Sequence, residues 1–218
     1  MDNFPLALLL VYGGTALVSY LLGCFNGAVI VSKYILRDDV RNHGSGNAGL
    51  TNFHRTFGGG LTFVVILCDV LKAVLAVLLG SWLFGGNPVL GKYFAALFCL
   101  LGHMFPCMFR FKGGKGILSG GAVALMIDWR VALVVWGGFL ILAILTKYVS
   151  LGSLWAGASF PFATWIFHPG TAGPDPAIIA LAFLLGGLVV WKHRGNIKRL
   201  LAGNESKFSL HHKKEGSA

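Results

Sequence analysis

The sequence predicts an all-α integral membrane protein with seven transmembrane helices, one of them short, an outside N-terminus and a cytoplasmic C-terminus. Three observations predict it. The 218 residues are 56% hydrophobic and only 12% charged, where soluble domains run at about 45–50% and about 25%. The apolar residues gather in runs close to the ~20 that a helix needs to cross a bilayer. The cations are distributed unequally between the loops, which sets orientation. One domain is expected over residues 1–205, followed by a polar, disordered tail over 206–218.

Phe4 to Phe25 is the first span. Asn26-Gly27 interrupts it, and Ala28 to Leu36 can continue a helix toward Lys33 and Arg37. Arg37 to Arg55 is too polar to span and too rich in glycine to form one helix. Gly58 to Phe84 is the second span and carries Asp69 and Lys72, three apart and therefore on one helical face. Charges at membrane depth are costly, so the two either pair to fix packing or face a site. After the Asn87-Pro88 turn, Lys92 to Phe109 is the third span. Ile117 to Ile127 is apolar but short, about 16 Å as a helix. Val131 to Thr146, Leu151 to Phe167 and Ala177 to Trp191 complete the set. No cleavable leader is expected, because Asp2 and not a basic segment precedes the first apolar run.

Counting the short segment as a crossing makes the loops alternate consistently. Fifteen of the eighteen Lys and Arg residues then fall on one side and two, Lys92 and Arg130, on the other, with Lys72 inside a span. The net charge of +10 therefore reflects positive-inside loops. It does not indicate a nucleic-acid partner, since no basic patch alternates with exposed aromatics. Cys24, Cys68, Cys99 and Cys107 lie in or beside apolar runs without a CxxC spacing and read as small buried hydrophobes, not as disulfide or metal ligands.

Three polar stretches fall on the cation-rich side. The first, Arg41 to Arg55, contains Gly44, Gly46, Gly49, Ser45, Thr51, Asn47 and Asn52, with Arg41, His54 and Arg55, and no acid. Glycine turns that free backbone N–H groups, together with hydroxyls and arginines, make a nest for anions such as phosphate. The second is Arg110-Phe111-Lys112-Gly113-Gly114-Lys115-Gly116. It resembles half a phosphate loop but departs from the Walker pattern at Phe109 and Gly116; a tight interfacial turn would explain it as well. The third runs from Lys192 to Arg199 and places His193 and Asn196 on one face, where neither is needed as a membrane anchor. Ser150 opens a span and could be a helix cap or a ligand.

No ready-made catalytic base is evident. None of His43, His54, His103, His168, His193, His211 and His212 is followed by Asp five residues on, and no HExxH or GxSxG is present. Such a cationic pocket works by positioning and electrostatic stabilisation, with a proton acceptor that the substrate can supply. A transporter or channel for a phosphorylated metabolite is the rival class, since glycine-broken segments and intramembrane charges mark those too. Against it, the polar stretches all lie on one side.

These pieces, in order and spacing, resemble the bacterial acyl-phosphate:glycerol-3-phosphate acyltransferase family. The resemblance rests on Gly44-Ser45-Gly46-Asn47 with Gly49, Thr51-Asn52 and Arg55; Asp69 with Lys72; Gly102-His103-Met104-Phe105-Pro106; Phe111 to Gly116; Lys147-Tyr148-Val149-Ser150-Leu151; and His193-Arg194, Asn196-Ile197, Arg199-Leu200 and Glu205. It implies an enzyme of the bacterial inner membrane with its active site facing the cytoplasm. This enzyme would transfer an acyl chain from acyl phosphate to the sn-1 hydroxyl of glycerol 3-phosphate, giving lysophosphatidic acid and phosphate, with no metal or other cofactor.

The resemblance further implies catalytic roles for Ser45, Arg55, Lys115, His193 and Asn196. Asn47, Thr51, Asn52, Lys112, Gly113, Gly114, Gly116 and Ser150 would bind substrate, and Asp69, Lys72 and Glu205 would be structural. The acyl chain would enter sideways from membrane lipid. A monomer is expected, with a basic face on which a soluble acyl-phosphate synthase could dock. Leu50, Ala73, Lys192, Gly195 and Ile117-Leu118-Ser119 depart from the family pattern. Of these, Leu50 would narrow the pocket.

Overall fold

The computed structural model describes residues 4–168, 173 and 175–208. Helix α1 (Phe4–Cys24) ends at a break where Asn26 caps the short α2 (Gly27–Ile30), its side chain accepting from the Val29 amide at 3.1 Å. A π-turn (Val31–Ile35) and a 3-10 turn (Val40–Asn42) follow, and then α3 (Leu50–Phe57). The remaining helices are α4 (Leu61–Leu83), α5 (Pro88–Met104), α6 (Ile117–Ile127), α7 (Trp129–Thr146), α8 (Val149–Phe167), α9 (Pro176–Lys192) and α10 (Arg194–Leu201).

The first polar stretch was expected to be loop throughout, yet its second half is α3. Leu50, Phe53 and Phe57 lie on one helical face and pack with Val40 and Val65, so the segment buries an apolar stripe. Gly49 in extended conformation and Gly58 at φ 57° bound it. The polar content of the stretch hid the spacing of these three residues.

Among the described residues, four helical segments are long and apolar enough to cross a membrane: Leu6–Cys24, Leu61–Leu83, Pro88–Phe109 and Trp129–Thr146. A fifth is added if α9 and α10, bent by 53° at His193, count together. Helix α8 has 19 residues, with Ser150, Ser153, Ser159 and Thr164 diluting its hydropathy, and α6 has 11. Large apolar side chains such as Leu9, Trp82, Ile144 and Leu145 are more than two-thirds exposed, a surface suited to lipid. The chain is a multi-pass membrane protein.

Helices α1, α4 and α5 pack as one group and α7, α8 and α9 as another, with α6 between α4 and α7 and with α5 against α9. Lipid tails are as apolar as leucine, so close backbone approach holds such a bundle together. Gly23 and Gly102 show this at the α1–α5 crossing. A Cβ on Gly23 would strike Cys99 O, and one on Gly102 would strike Tyr20 O.

A buried polar cluster crosses the first group. Asp69 and Lys72 pair at 2.7 Å and are 1% and 4% exposed. Lys72 also donates to Gly23 O at 3.3 Å and Phe25 O at 2.9 Å, the carbonyls left open where α1 ends. Asp69 accepts the Gly27 amide at 3.3 Å. The pair therefore pins the break between α1 and α2 to α4. Removing one partner strands the other charge in the bundle, at a cost of about 3–5 kcal/mol. Lys72→Met should lower the thermal unfolding midpoint of the detergent-solubilised protein sharply, and Asp69→Asn combined with Lys72→Met should recover part of the loss. An unchanged midpoint in Lys72→Met would rule out this role.

The expected polar tail begins at 206. Phe208 N–H donates to Lys147 O at 2.8 Å, so residues 206–208 run beside the α7–α8 turn. Residues 209–218 lie outside the described residues.

Candidate functional site

A cavity of about 780 Å³ opens at one end of the bundle. Four separate segments supply most of its polar lining. The loop before α3 and α3 itself contribute Ser45, Asn47, Thr51, Asn52 and Arg55. The N-terminus of α6 contributes Lys115 and Gly116, and the first turn of α8 contributes Ser150. The α9–α10 bend contributes His193 and Asn196, with Glu205 beyond it.

The first loop is shaped by Gly44 and Gly46, both in the left-handed region at φ 55° and 68°. Asn52 clamps it. Its Oδ1 accepts the Ser45 amide at 3.0 Å, and its Nδ2 donates to Val40 O and His43 O, each at 3.0 Å. Three bonds leave this amide little capacity for a ligand, so Asn52 positions Ser45. Asn26 Nδ2 reaches Ala48 O at 3.0 Å and ties the same loop to the α1–α2 break.

Lys115 Nζ donates to Asn196 Oδ1. Asn196 Nδ2 donates to Glu205 Oε1 at 2.7 Å, and Arg199 Nε donates to Glu205 Oε2 at 2.7 Å. Burial, with Arg199 as the strongest neighbouring cation, lowers the Lys115 pKa to about 8. Burial opposes the charge of Glu205, but the bonds from Asn196 and Arg199 outweigh it and hold the carboxyl below its ordinary range. The Ser150 hydroxyl adds to this from nearby without closing a hydrogen bond; it is buried and has no partner. Ser150 stands second in α8, whose cap position is Tyr148, so the hydroxyl does not cap the helix. His193 is 3% exposed, and its Nδ1 lies 2.8 Å from Val189 O. A carbonyl only accepts, so Nδ1 carries hydrogen and Nε2 is left for a ligand.

Lys112, Gly113 and Gly114 do not join this cavity. Arg110 and Phe111, both at φ 57°, turn the chain so that Lys112 lines a different cavity. The Gly113 and Gly114 amides, expected to cradle phosphate, already donate to Met104 O at 3.2 Å and His103 O at 3.1 Å. Both glycines serve close packing: a Cβ on Gly113 would strike His103 O, and one on Gly114 the His103 ring. What this stretch brings to the cavity is Lys115 and the α6 N-terminus, where Gly116 sits at φ 82°.

The structure adds lining residues that no sequence argument had assigned: His103, Arg199, Ser153, Trp136 and Phe139. His103 Nδ1 lies 2.8 Å from Lys72 Nζ and 3.7 Å from Asp69 Oδ1. The ammonium has only protons to give, so His103 accepts at Nδ1 and carries hydrogen at Nε2. Arg199 could have been found from its i+3 spacing to Asn196. Trp136 and Phe139 looked like ordinary membrane aromatics. They also line a second, apolar crevice with Gly116 and Ile117, which continues among Leu100, Val135 and Phe160. A cationic chamber thus adjoins an apolar one between α6, α7, α8 and α9, an arrangement that suits a molecule with an anionic head and an apolar tail.

The family model described as glycerol-3-phosphate acyltransferase matches residues 14–203. A glycerol-3-phosphate acyltransferase of Thermoanaerobacter pseudethanolicus is 40% identical over 193 residues, 88% of this chain and 93% of its own length. One of Shouchella clausii is 40% identical over 198 residues, 91% and 96% of the two chains. Among solved structures, PlsY (YgiH), an integral membrane glycerol 3-phosphate acyltransferase crystallised in its glycerol 3-phosphate form, superposes with a TM-score of 0.81 at 32% identity. The match covers 91% of this chain and 96% of that one. By family model, sequence and fold together, the chain belongs to the glycerol-3-phosphate acyltransferase family.

Proposed function

We propose that this chain transfers an acyl group from acyl phosphate to the sn-1 hydroxyl of glycerol 3-phosphate, releasing lysophosphatidic acid and inorganic phosphate. The observation that carries the reading is the junction of a polar chamber holding Lys115, Arg55 and His193 with an apolar crevice that shares Trp136 and Phe139. The solved relative was obtained in forms named for glycerol 3-phosphate and for lysophosphatidic acid, an acceptor and a product of that reaction class.

The chemistry follows from what the side chains offer. An acyl phosphate is a mixed anhydride and is already activated, so no covalent enzyme nucleophile is needed. The sn-1 oxygen attacks the acyl carbon, a C–O ester bond forms and the anhydride C–O bond breaks. The electron pair leaves on phosphate, and a phosphate oxygen takes the hydroxyl proton. Lys115 and Arg55 stabilise the phosphate charge and the oxyanion. Ser45, Thr51 and Ser150 supply hydroxyls, and Asn196 holds Lys115 in place. His193 turns Nε2 toward the reacting groups, and Asn47 adds an amide at the loop. Neither a metal nor another cofactor has a role in these steps.

In this reading the chain makes seven crossings, α1 and α4 to α9, with α6 as the short one and its ends covered by protein. The N-terminus lies outside, and the site and C-terminus face the cytoplasm of a bacterial inner membrane. The protein works as a monomer, and its basic face can receive a soluble acyl-phosphate synthase.

Purified protein given palmitoyl phosphate and glycerol 3-phosphate should release phosphate and form lysophosphatidic acid, read by mass spectrometry. Lys115→Ala should lower the rate by about 10²–10³, the usual cost of losing one oxyanion-stabilising donor. Product formed from either substrate alone, or unimpaired Lys115→Ala, would overturn the assignment.

The lowered Lys115 pKa fixes a pH limb. The cation is present below about 8 and is lost as pH rises through it. Affinity for glycerol 3-phosphate should therefore fall above about pH 8, and binding there should take up a proton, because the phosphate favours the charged lysine. Calorimetry in two buffers of different ionisation enthalpy measures that uptake. Lys115→Arg should retain weaker binding without the limb. A limb unchanged in Lys115→Arg would assign it to another group.

A further inference from the structure

The loop before α3 has a second side. Ser45 and Asn47 line the cavity described above, while Asn42 and Gly46 line a separate polar cavity of about 530 Å³ that shares no residue with the first. Four cations contribute to this second cavity: Lys33, Arg41, Arg110 and Lys112. Arg41 is spoken for. It pairs with Asp39 at 2.6 Å, the one acid in the lining, and donates to Phe109 O at 2.8 Å and Lys112 O at 3.2 Å. Asp38, the neighbouring acid, lies 2.8 Å from His43. Among the described residues, Lys33, Arg110 and Lys112 have no carboxylate partner.

Two features argue that this surplus charge is a built site. Arg110 and Phe111 both adopt φ 57°, a conformation that residues with side chains rarely take and that persists only where the surroundings enforce it. That turn sets Arg110 and Lys112 on the cavity wall and sends Phe111 outward. The rim is also apolar. Met108 lines the cavity, and Tyr34, Ile35 and Phe111, neighbours in sequence of Lys33, Arg110 and Lys112, are like it more than half exposed. A pocket for a soluble anion has no use for such a rim. A lipid headgroup site at the membrane surface needs it, because the acyl tails continue where the phosphate stops.

We propose that this cavity binds the headgroup of an anionic membrane phospholipid. The phosphate sits among Lys33, Arg110 and Lys112, and the tails lie along Met108, Phe111 and Ile35. The bound headgroup fastens the back of the loop whose front carries Ser45 and Asn47, so the composition of the surrounding bilayer bears on the first cavity. This explains why Lys112, five residues before the start of α6, lines a different cavity from Lys115.

The test is native mass spectrometry of the full chain released from detergent after titration with phosphatidylglycerol or with phosphatidylcholine of the same acyl chains. The wild-type protein should retain one phosphatidylglycerol at a concentration about tenfold below that needed for phosphatidylcholine. Lys33→Gln combined with Arg110→Gln should abolish the preference, and Lys115→Ala should keep it, because Lys115 lines the other cavity. If the double variant does not fold, each single variant should reduce the preference about threefold. Equal retention of the two lipids by the wild type would overturn the proposal. So would loss of the preference in Lys115→Ala, and so would displacement of phosphatidylglycerol by millimolar inorganic phosphate, which would mark a site for a soluble anion. The readout is bound mass and not acyl transfer, so its outcome is independent of the proposed reaction.

Discussion

The interaction on which the rest of the structure depends is the buried pair of Asp69 and Lys72. Three residues apart on α4, they meet at 2.7 Å with almost no exposure. A charge so placed must be paired and hydrogen-bonded to be tolerated. Lys72 satisfies this with the carbonyls of Gly23 and Phe25, and Asp69 with the Gly27 amide. The groups that need partners at the end of α1 are the groups that supply them to the pair. The break in the first span is therefore stabilised by α4, and Asn26, inside that break, holds the loop of the site through Ala48 O.

From that point the site is assembled by segments distant in sequence, none of which suffices alone. Lys115 meets Asn196 across 81 residues, and Asn196 with Arg199 fixes Glu205. This chain of bonds leaves Lys115 without a carboxylate of its own, and burial, with Arg199 nearby, draws its pKa down to about 8. A lysine so placed has N–H groups to spare for an anionic partner. The same logic applies to Ser150, whose buried hydroxyl has no bond in the protein.

The glycines divide by physical role. Gly44 and Gly46 are needed for backbone conformation, at φ 55° and 68°. Gly113 and Gly114 are needed for space, because the chain there passes against His103 and Ala48. The GGKG stretch looks alike in sequence whichever role applies. Its Gly113 and Gly114 amides turn inward to Met104 O and His103 O, so of this stretch only Lys115 and Gly116 reach the chamber.

The sequence by itself determined the class of the protein, its long apolar segments and many of the polar residues that line the chamber. Apolar runs, loop charge and small polar clusters are local properties, written wherever lipid, water or an anion must be met. Ser45, Thr51, Arg55, Lys115, Ser150, His193 and Asn196 were legible because polar residues beside apolar spans need a reason to be there. What only the tertiary structure decided was which of them face the same space. It turned Asn52 into a clamp, moved Lys112 to another cavity and folded Leu50–Phe57 into a helix. It also brought His103, Trp136, Phe139 and Arg199 to the chamber. Direction across a packed bundle depends on backbone turns such as Arg110-Phe111 and on helix crossings such as Gly23–Gly102. Neither is encoded in the spacing of any one segment.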